Sequence, residues 1–396
     1  MNYTARLKRN IKLFYIVDFL IGLDFVIPVW VAFHLRVLDY SQIAILTAFL
    51  YGLTMILELP TGALADMLGR KWTTALGWIF QGLGYAFIAF ANSFTAFGIG
   101  YFIVAIGIAL VSGASVAMVY DTFKELKREN EYSKFVAKSS TLFRIGLIVG
   151  TFTGGYLYQL HLSLPYLLMG LAYLVAVGFI LLQQEPKIDT EKFTLTNYLR
   201  QTRDGFKEVF KTQYLKKLTL FYTLAGGITW ACAIYFNQPF AKDLGFGEIE
   251  QSWLFGGIYL TSTSIIYLLS RNDKFLDRNK IYLGFPIILS LALLPGIIAS
   301  KLVAPVLLLG ILVCTSGRFA FLDRYANLEY ESKYRATAVS ALNMLVSLFV
   351  IIAVGLSGKL QDLYGTPLVF TLLGIVALFA MLPVGINLAR HKLPTK

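Results

Sequence analysis

Apolar residues along this chain come in long runs, and polar residues come in short breaks between them. Runs of about 20 apolar side chains are the length that carries a helix across a bilayer. Twelve can be marked, at roughly 13–35, 42–62, 73–92, 97–120, 137–158, 164–183, 217–237, 252–270, 281–299, 303–322, 337–357 and 367–388. Only helices and closed barrels satisfy their backbone groups in lipid. The pattern therefore predicts an all-α membrane protein with twelve transmembrane helices. The first run contains Asp18 and Asp24 and has no small-residue cleavage pattern after it, so it reads as a first span and not as a signal peptide.

One connection is long. Residues 184–216 are polar and basic, and they divide the chain into an N-terminal six-helix bundle (1–183), a linker (184–216) and a C-terminal six-helix bundle (217–396). Within the linker, Leu199, Phe206, Val209 and Phe210 are spaced for an amphipathic helix on the inner leaflet, with an unstructured linker as the alternative. The halves also resemble each other. "LFYIVDFLIG" at 13–22 matches "LFYTLAGGIT" at 220–229, and "SKFVAKSSTLF" at 133–143 matches "SKYRATAVSAL" at 332–342. A repeat of this period predicts a transporter with its binding site near the midplane, where the halves meet.

Composition supports this and narrows the function. The chain is 57% hydrophobic and 15% charged, and no segment is polar enough for a soluble catalytic domain. A net charge of +12 would suit a nucleic-acid partner, but its distribution excludes one. With the N-terminus placed inside, 29 of the 35 Lys and Arg fall in inner segments and 4 in outer loops; Arg144 and Arg318 lie within spans. That bias predicts both termini in the cytoplasm and a basic surface facing anionic lipid. Cys232 and Cys314 lie within spans seven and ten, and His34, His161 and His391 are scattered at span ends, so neither a disulfide framework nor a metal site is expected. No P-loop interrupts the chain. No cofactor is expected, and no nucleophile–base constellation points to an enzyme.

The break after span two reads "GALADMLGRK", residues 62–71. It resembles the signature loop of the major facilitator superfamily, G-x-L-x-D-R/K-x-G-R/K-R/K. Gly62, Leu64, Asp66, Gly69, Arg70 and Lys71 match, and Met67 departs from the usual base. The resemblance covers essentially the whole chain and implies a fold of two pseudo-symmetric six-helix bundles. It also implies secondary transport by alternating access, with one copy sufficient. In that family the loop Asp accepts from the free N–H groups at the start of span eleven, here near Thr337, and the loop Arg pairs with an acid at the end of span four, a place filled by Asp121. Gly62, Asp66, Gly69, Arg70, Lys71 and Asp121 are thus expected to form a conformational latch that holds the outward-open state. The second-half loop, "RNDKFLDRNK" at 271–280, reads as a solvated basic loop. Span five carries Gly146, Gly150, Thr151, Gly154 and Gly155. This is similar to the antiporter motif G-x-x-x-G-P-x-x-G-G apart from Thr151, and equally to a plain helix-packing stripe. The span-four arginine of many drug–proton antiporters is missing.

Ionisable groups within spans are costly to insert and so point to function. Asp24 lies nearest mid-span, where a carboxylate can bind and release a proton during transport. On a continuous helix Asp18 would sit about 9 Å away along the axis and roughly 120° round, at the depth of Arg144, and an ion pair between those two would make both tolerable. Glu58 reads as a further protonation site or as part of the latch. Arg318 either binds an anionic substrate group or pairs with Asp323. Arg144, Trp230, Tyr235, Asn237, Arg318 and Asn343 are the remaining cavity candidates. An aromatic cavity with a buried acid favours amphipathic or cationic molecules. The expected activity is proton-coupled efflux of such compounds from a bacterial cell. Proton-coupled uptake of a sugar, organic acid or peptide, and translocation of a lipid or lysolipid, stand as alternatives.

Overall fold

The computed structural model describes residues 2–187, 195–271, 277–318, 329–330 and 335–391, apart from some side chains within its helices. Every regular element among them is helical. In chain order these are α1 (Tyr3–Gly22), α2 (Trp30–His34), α3 (Tyr40–Leu68), α4 (Arg70–Ile88), α5 (Phe94–Glu125), α6 (Tyr132–Leu160) and α7 (Leu164–Leu181). They continue as α8 (Leu195–Val209), α9 (Gln213–Ala231), α10 (Asn237–Asp243), α11 (Glu248–Ser270), α12 (Arg278–Leu293) and α13 (Ala304–Gly317). The last three are α14 (Arg335–Tyr364), α15 (Thr366–Val376) and α16 (Leu382–Arg390). Single π-turns, Cys232–Phe236 and Ala377–Met381, join α9 to α10 and α15 to α16. Among the described residues, nine helical stretches are long and apolar enough to cross a membrane. The other three predicted spans fall short for visible reasons. The first is broken between α1 and α2, α4 opens on Arg70 and Lys71, and α13 is described for 14 residues only.

Two compact units result. The first comprises residues 1–38, 49–195 and 248–256, and the second 39–48, 196–247 and 257–396. Two helices are thereby divided, α3 after its first turns and α11 after residue 256.

In the first unit α4 packs between α5 and α7, and α1 packs against α6 and α7. Glycines set how closely these helices approach, because lipid supplies no hydrophobic force to drive them together and contact must come from packing. A Cβ on Gly77 would lie 2.8 Å from Gly107 O, and one on Gly107 would lie 2.6 Å from Gly77 O. Gly82 and Gly170 repeat this reciprocity between α4 and α7.

In the second unit α9 packs on α14, and α12 on α13 and α16. The linker segment 195–209 is the helix α8, whose buried residues include Gly205, Glu208 and Val209. A Cβ on Gly205 would lie 2.3 Å from Thr337 O at the start of α14. Val209 is fully buried, and its carbonyl accepts from Thr219 Oγ1 at 2.8 Å. Of the apolar residues expected to face the leaflet, Val209 is therefore turned to protein, while Phe210 is exposed.

Candidate functional site

The first span is not one helix. It stops at Gly22 and resumes at Trp30, and Asp24 opens the break. Asp24 Oδ1 accepts from the N–H groups of Val26 at 3.0 Å and Ile27 at 3.2 Å. The carboxylate thus stands in for helical carbonyls that the break removes, and Pro28 removes one donor from the same stretch. Asp24 is partly exposed; the same unit holds a tyrosine cluster of Tyr85 on α4 with Tyr166 and Tyr173 on α7. Tyr85 lies 5.6 Å from Tyr173 and 6.4 Å from Tyr166, ring centre to ring centre. An ionisable group on unwound backbone within a span is the most chemically loaded place in this unit. The continuous-helix geometry between Asp18 and Asp24 does not hold, because the helix that would relate them ends at Gly22.

The span-five glycines explain how the break can lie where it does. A Cβ on Gly146 would sit 2.3 Å from Phe19 O, on Gly150 2.6 Å from Asp24 N and on Gly154 2.1 Å from Phe25 O. Three glycines on α6 thus hold the end of α1 and the break backbone to backbone. Gly155 is turned to α11 and donates its N–H to Ser252 Oγ at 2.8 Å. Thr151, in the antiporter proline's place, is fully buried.

The other span charges scatter. Asp18 accepts a hydrogen bond from Ser139 Oγ on α6. Arg144 is partly exposed on α6, and Glu58 is exposed near the end of α3. His34 is fully buried, with Nδ1 2.7 Å from Trp30 O and Nε2 2.9 Å from Tyr101 Oη. Both ring nitrogens are used, which suits a neutral structural imidazole. Among the described residues no cluster of His, Cys, Asp and Glu could hold a metal, and both cysteines are free and buried.

Gly62, Leu64 and Asp66 lie within α3, with side chains outside the described ones. Gly69 has φ 87°, a conformation that favours glycine, and stands at the N-cap of α4 with no side chain to cap it. Glu185, at the end of the sixth span, supplies the missing acceptor. Its carboxylate takes the N–H of Arg70 at 2.7 Å and of Lys71 at 2.8 Å. Arg70 pairs with Asp121 and donates to Ala117 O at 3.0 Å. Beside this, the Tyr3 hydroxyl donates to Glu125 at 2.7 Å. Burial and that carboxylate push Tyr3 up to about 12, so it remains a donor at neutral pH. Glu185 left one sequence signal, a helix that starts on glycine and must find its cap elsewhere. Replacing the carboxylate with an amide, Glu185→Gln, is expected to cost about 1 kcal/mol, read as a lower thermal midpoint in detergent; an unchanged midpoint would show the cap to be idle.

The second-half loop is more than a solvated basic segment. Residues 272–276 lie outside the described ones, but Arg278 pairs with Glu329 at 3.3 Å, with both side chains largely buried. Arg278 and Glu329 stand one repeat on from Arg70 and Asp121, so the ion pair recurs although the glycines do not. Tyr214 also donates to Glu329, at 2.9 Å.

Of the C-terminal cavity candidates, Arg318 is buried. It donates to Gly226 O at 3.4 Å, and its guanidinium lies 5.4 Å from the centre of the Tyr222 ring; Asp323 lies outside the described residues. The π-turn Cys232–Phe236 interrupts span seven, a distortion frequent at functional sites. It presents Tyr235, whose hydroxyl donates to Gln361 at 2.8 Å, and leads into Asn237 and Gln238, both buried. Trp230 is half-buried on α9, and Asn343 is exposed on α14.

This geometry has known counterparts. The chain is 26% identical over 373 residues to the MFS-type transporter YxaM of Bacillus subtilis, covering 90% of this chain and 89% of that one. It is 23% identical over 303 residues to the chloramphenicol resistance protein CraA of Acinetobacter baumannii, covering 74% and 71%. The fold matches the nucleoside transporter NupG with a TM-score of 0.76 at 15% identity, over 99% of this chain and 100% of that one. It also matches a bacterial homolog of the human lysosomal transporter Spinster, with a TM-score of 0.73 at 15% identity over 98% of each. The sequence profile of the Major Facilitator Superfamily matches residues 13–328, and the chain is a member of that family of multi-pass membrane transporters.

Proposed function

We propose that this transporter exports lipophilic or cationic organic compounds in exchange for protons. It does so by alternating access of two six-helix halves, twelve spans in all, with both termini in the cytoplasm of a bacterial cell and one copy sufficient. The observation that carries the reading is Asp24, a carboxylate on the unwound backbone at the break of the first span. A carboxylate there attracts a cation, aromatic faces receive its apolar body, and protonation releases it. The chloramphenicol resistance relative supports efflux. Asp66, Arg70 and Asp121 act as the inner latch of this cycle, and Arg278 with Glu329 as its second-half copy.

One observation favours a second reading. Asn237 Oδ1 and Gln238 Oε1 are buried without a hydrogen-bond partner among the described residues. Two buried amide acceptors suit a neutral polar substrate such as a sugar, taken up with protons.

Proteoliposomes separate the two. With the lumen acid, proton exit through an antiporter accumulates labelled chloramphenicol or an organic cation inside. A symporter accumulates its substrate only when the lumen is alkaline. Accumulation of neither drug nor cation with an acid lumen would remove the export reading.

A further inference from the structure

Asp362 stands in the last turn of α14, where that helix's own dipole disfavours an anion. Its position therefore needs an explanation elsewhere, and the start of α3 supplies one. Asp362 accepts from the N–H of Tyr40 at 2.8 Å, from the N–H of Ser41 at 3.1 Å and from Ser41 Oγ. The local cap, Asp39, takes the N–H of Gln42 at 2.7 Å. The free N–H groups of the first turn are thus shared between α3's own cap and a carboxylate from the far end of the sequence. Asp243, at the end of α10, accepts from the Tyr40 hydroxyl and from Thr366 N at 2.7 Å. Packing is equally close. A Cβ on Gly358 would lie 2.7 Å from Ser41 Cα. Residues 39–48 accordingly belong to the second compact unit, while the rest of α3 runs through the first.

The repeat contains this crossing twice but the acid once. One repeat earlier, Gly155 on α6 meets the start of α11, where a Cβ would lie 2.4 Å from Glu248 O. Four residues after Gly155, as Asp362 stands four residues after Gly358, lies Gln159, which is exposed. That crossing is fastened by neutral bonds, Gly155 N to Ser252 Oγ at 2.8 Å and Trp253 Nε1 to Tyr156 Oη at 2.8 Å.

We propose that Asp362, seconded by Asp243, is the positioning residue that clasps the outer end of α3 in one state of the transport cycle. As the cycle turns, α3 and α14 exchange caps. Asp362, near the C-terminal end of α14, serves the start of α3 in one state; Asp66, near the C-terminal end of α3, serves the start of α14 in the other. Sidedness and alternation here rest on the reading under Proposed function. The exchange replaces a carboxylate-to-helix-start contact with another of the same kind, so the two states stay close in free energy and a bound substrate or proton can tip them.

Spin labels at Val37→Cys and Leu363→Cys test this without substrate or proton gradient. The sites are 42% and 65% exposed, and the native cysteines are buried. Removing the carboxylate charge with Asp362→Asn is expected to raise the long-distance population about tenfold, since hydrogen bonds to a charged acceptor are the strong ones. Adding Asp66→Asn should bring the ratio back toward the native value, which a merely structural role of Asp362 would not do. An unchanged distribution in folded Asp362→Asn overturns the clasp, and a double variant indistinguishable from the single one overturns the exchange of caps. If Asp362→Asn does not fold, Ser41→Ala decides, with a several-fold shift expected and no shift overturning the proposal. Because the readout uses no transport, its failure leaves the export reading standing, and failure of proton-driven export leaves the clasp standing.

Discussion

Asp24→Asn is expected to abolish accumulation driven by a pH gradient while leaving counterflow exchange of the same substrate within a few-fold of native. The reasoning starts from what the substitution keeps. Asparagine retains a carbonyl oxygen that can accept from Val26 N and Ile27 N, the bonds that shape the break in the first span. The glycine bed on α6 also remains, so the backbone has no cause to move. What disappears is the proton site and its negative charge. Exchange of substrate for substrate needs the cavity and the alternation of the two states. Net accumulation needs, in addition, a group that takes a proton on one side and gives it up on the other. Asp24→Glu should retain part of the driven transport, because it keeps the ionisable group and displaces it by one methylene. Gradient-driven accumulation at the native level in Asp24→Asn would take this residue out of the coupling role.

The sequence made the membrane class legible because lipid imposes one demand on every span, an uninterrupted apolar run. It made the loop at 62–71 legible because charges between apolar runs stand out. The break at Leu23–Val29 was hidden for the same reason, since its residues are apolar apart from Asp24 and hydropathy does not respond to backbone conformation. Pro28, six residues after Gly22, was the available sign. Glu185 and Asp362 were missed because each acts on a helix start remote in sequence. The usable signals were indirect: a helix that begins on Gly69 without a capping side chain, and an acid placed against its own helix dipole. The second-half loop was undervalued because its glycines are gone, yet the ion pair Arg278–Glu329 recurs at the repeat spacing. Motif consensus weighs glycines and charges alike, whereas the structure keeps the charge pair and lets the turn vary. The glycine stripe of span five was read in two ways. Its neighbours show what each glycine meets, and what three of them meet is the backbone that carries Asp24.

That contact supports a second large effect. Gly150→Val is expected to destabilise the N-terminal half by about 3 kcal/mol, the upper range of overpacking in a close-packed interior, and to abolish transport in whatever protein still folds. The added Cβ would fall 2.6 Å from Asp24 N, 2.8 Å from Asp24 C and 2.9 Å from Asp24 O. All three atoms are backbone, so no rotamer change can relieve the clash, and either α6 or the break must shift. Neither shifts freely. Gly146 and Gly154 pin the stretches on both sides, at Phe19 O and Phe25 O, so the displacement concentrates on Asp24. Gly178→Val, on α7, is the matched control, because a Cβ there meets nothing within 4 Å. It adds the same side chain to the same kind of helix and should leave both thermal midpoint and transport near native. Equal midpoints for the two variants would mean that α6 yields to the added atoms and that its glycines do not fix the position of Asp24. A Gly150→Val protein with a lowered midpoint and intact driven transport would separate the packing of the break from the chemistry assigned to it.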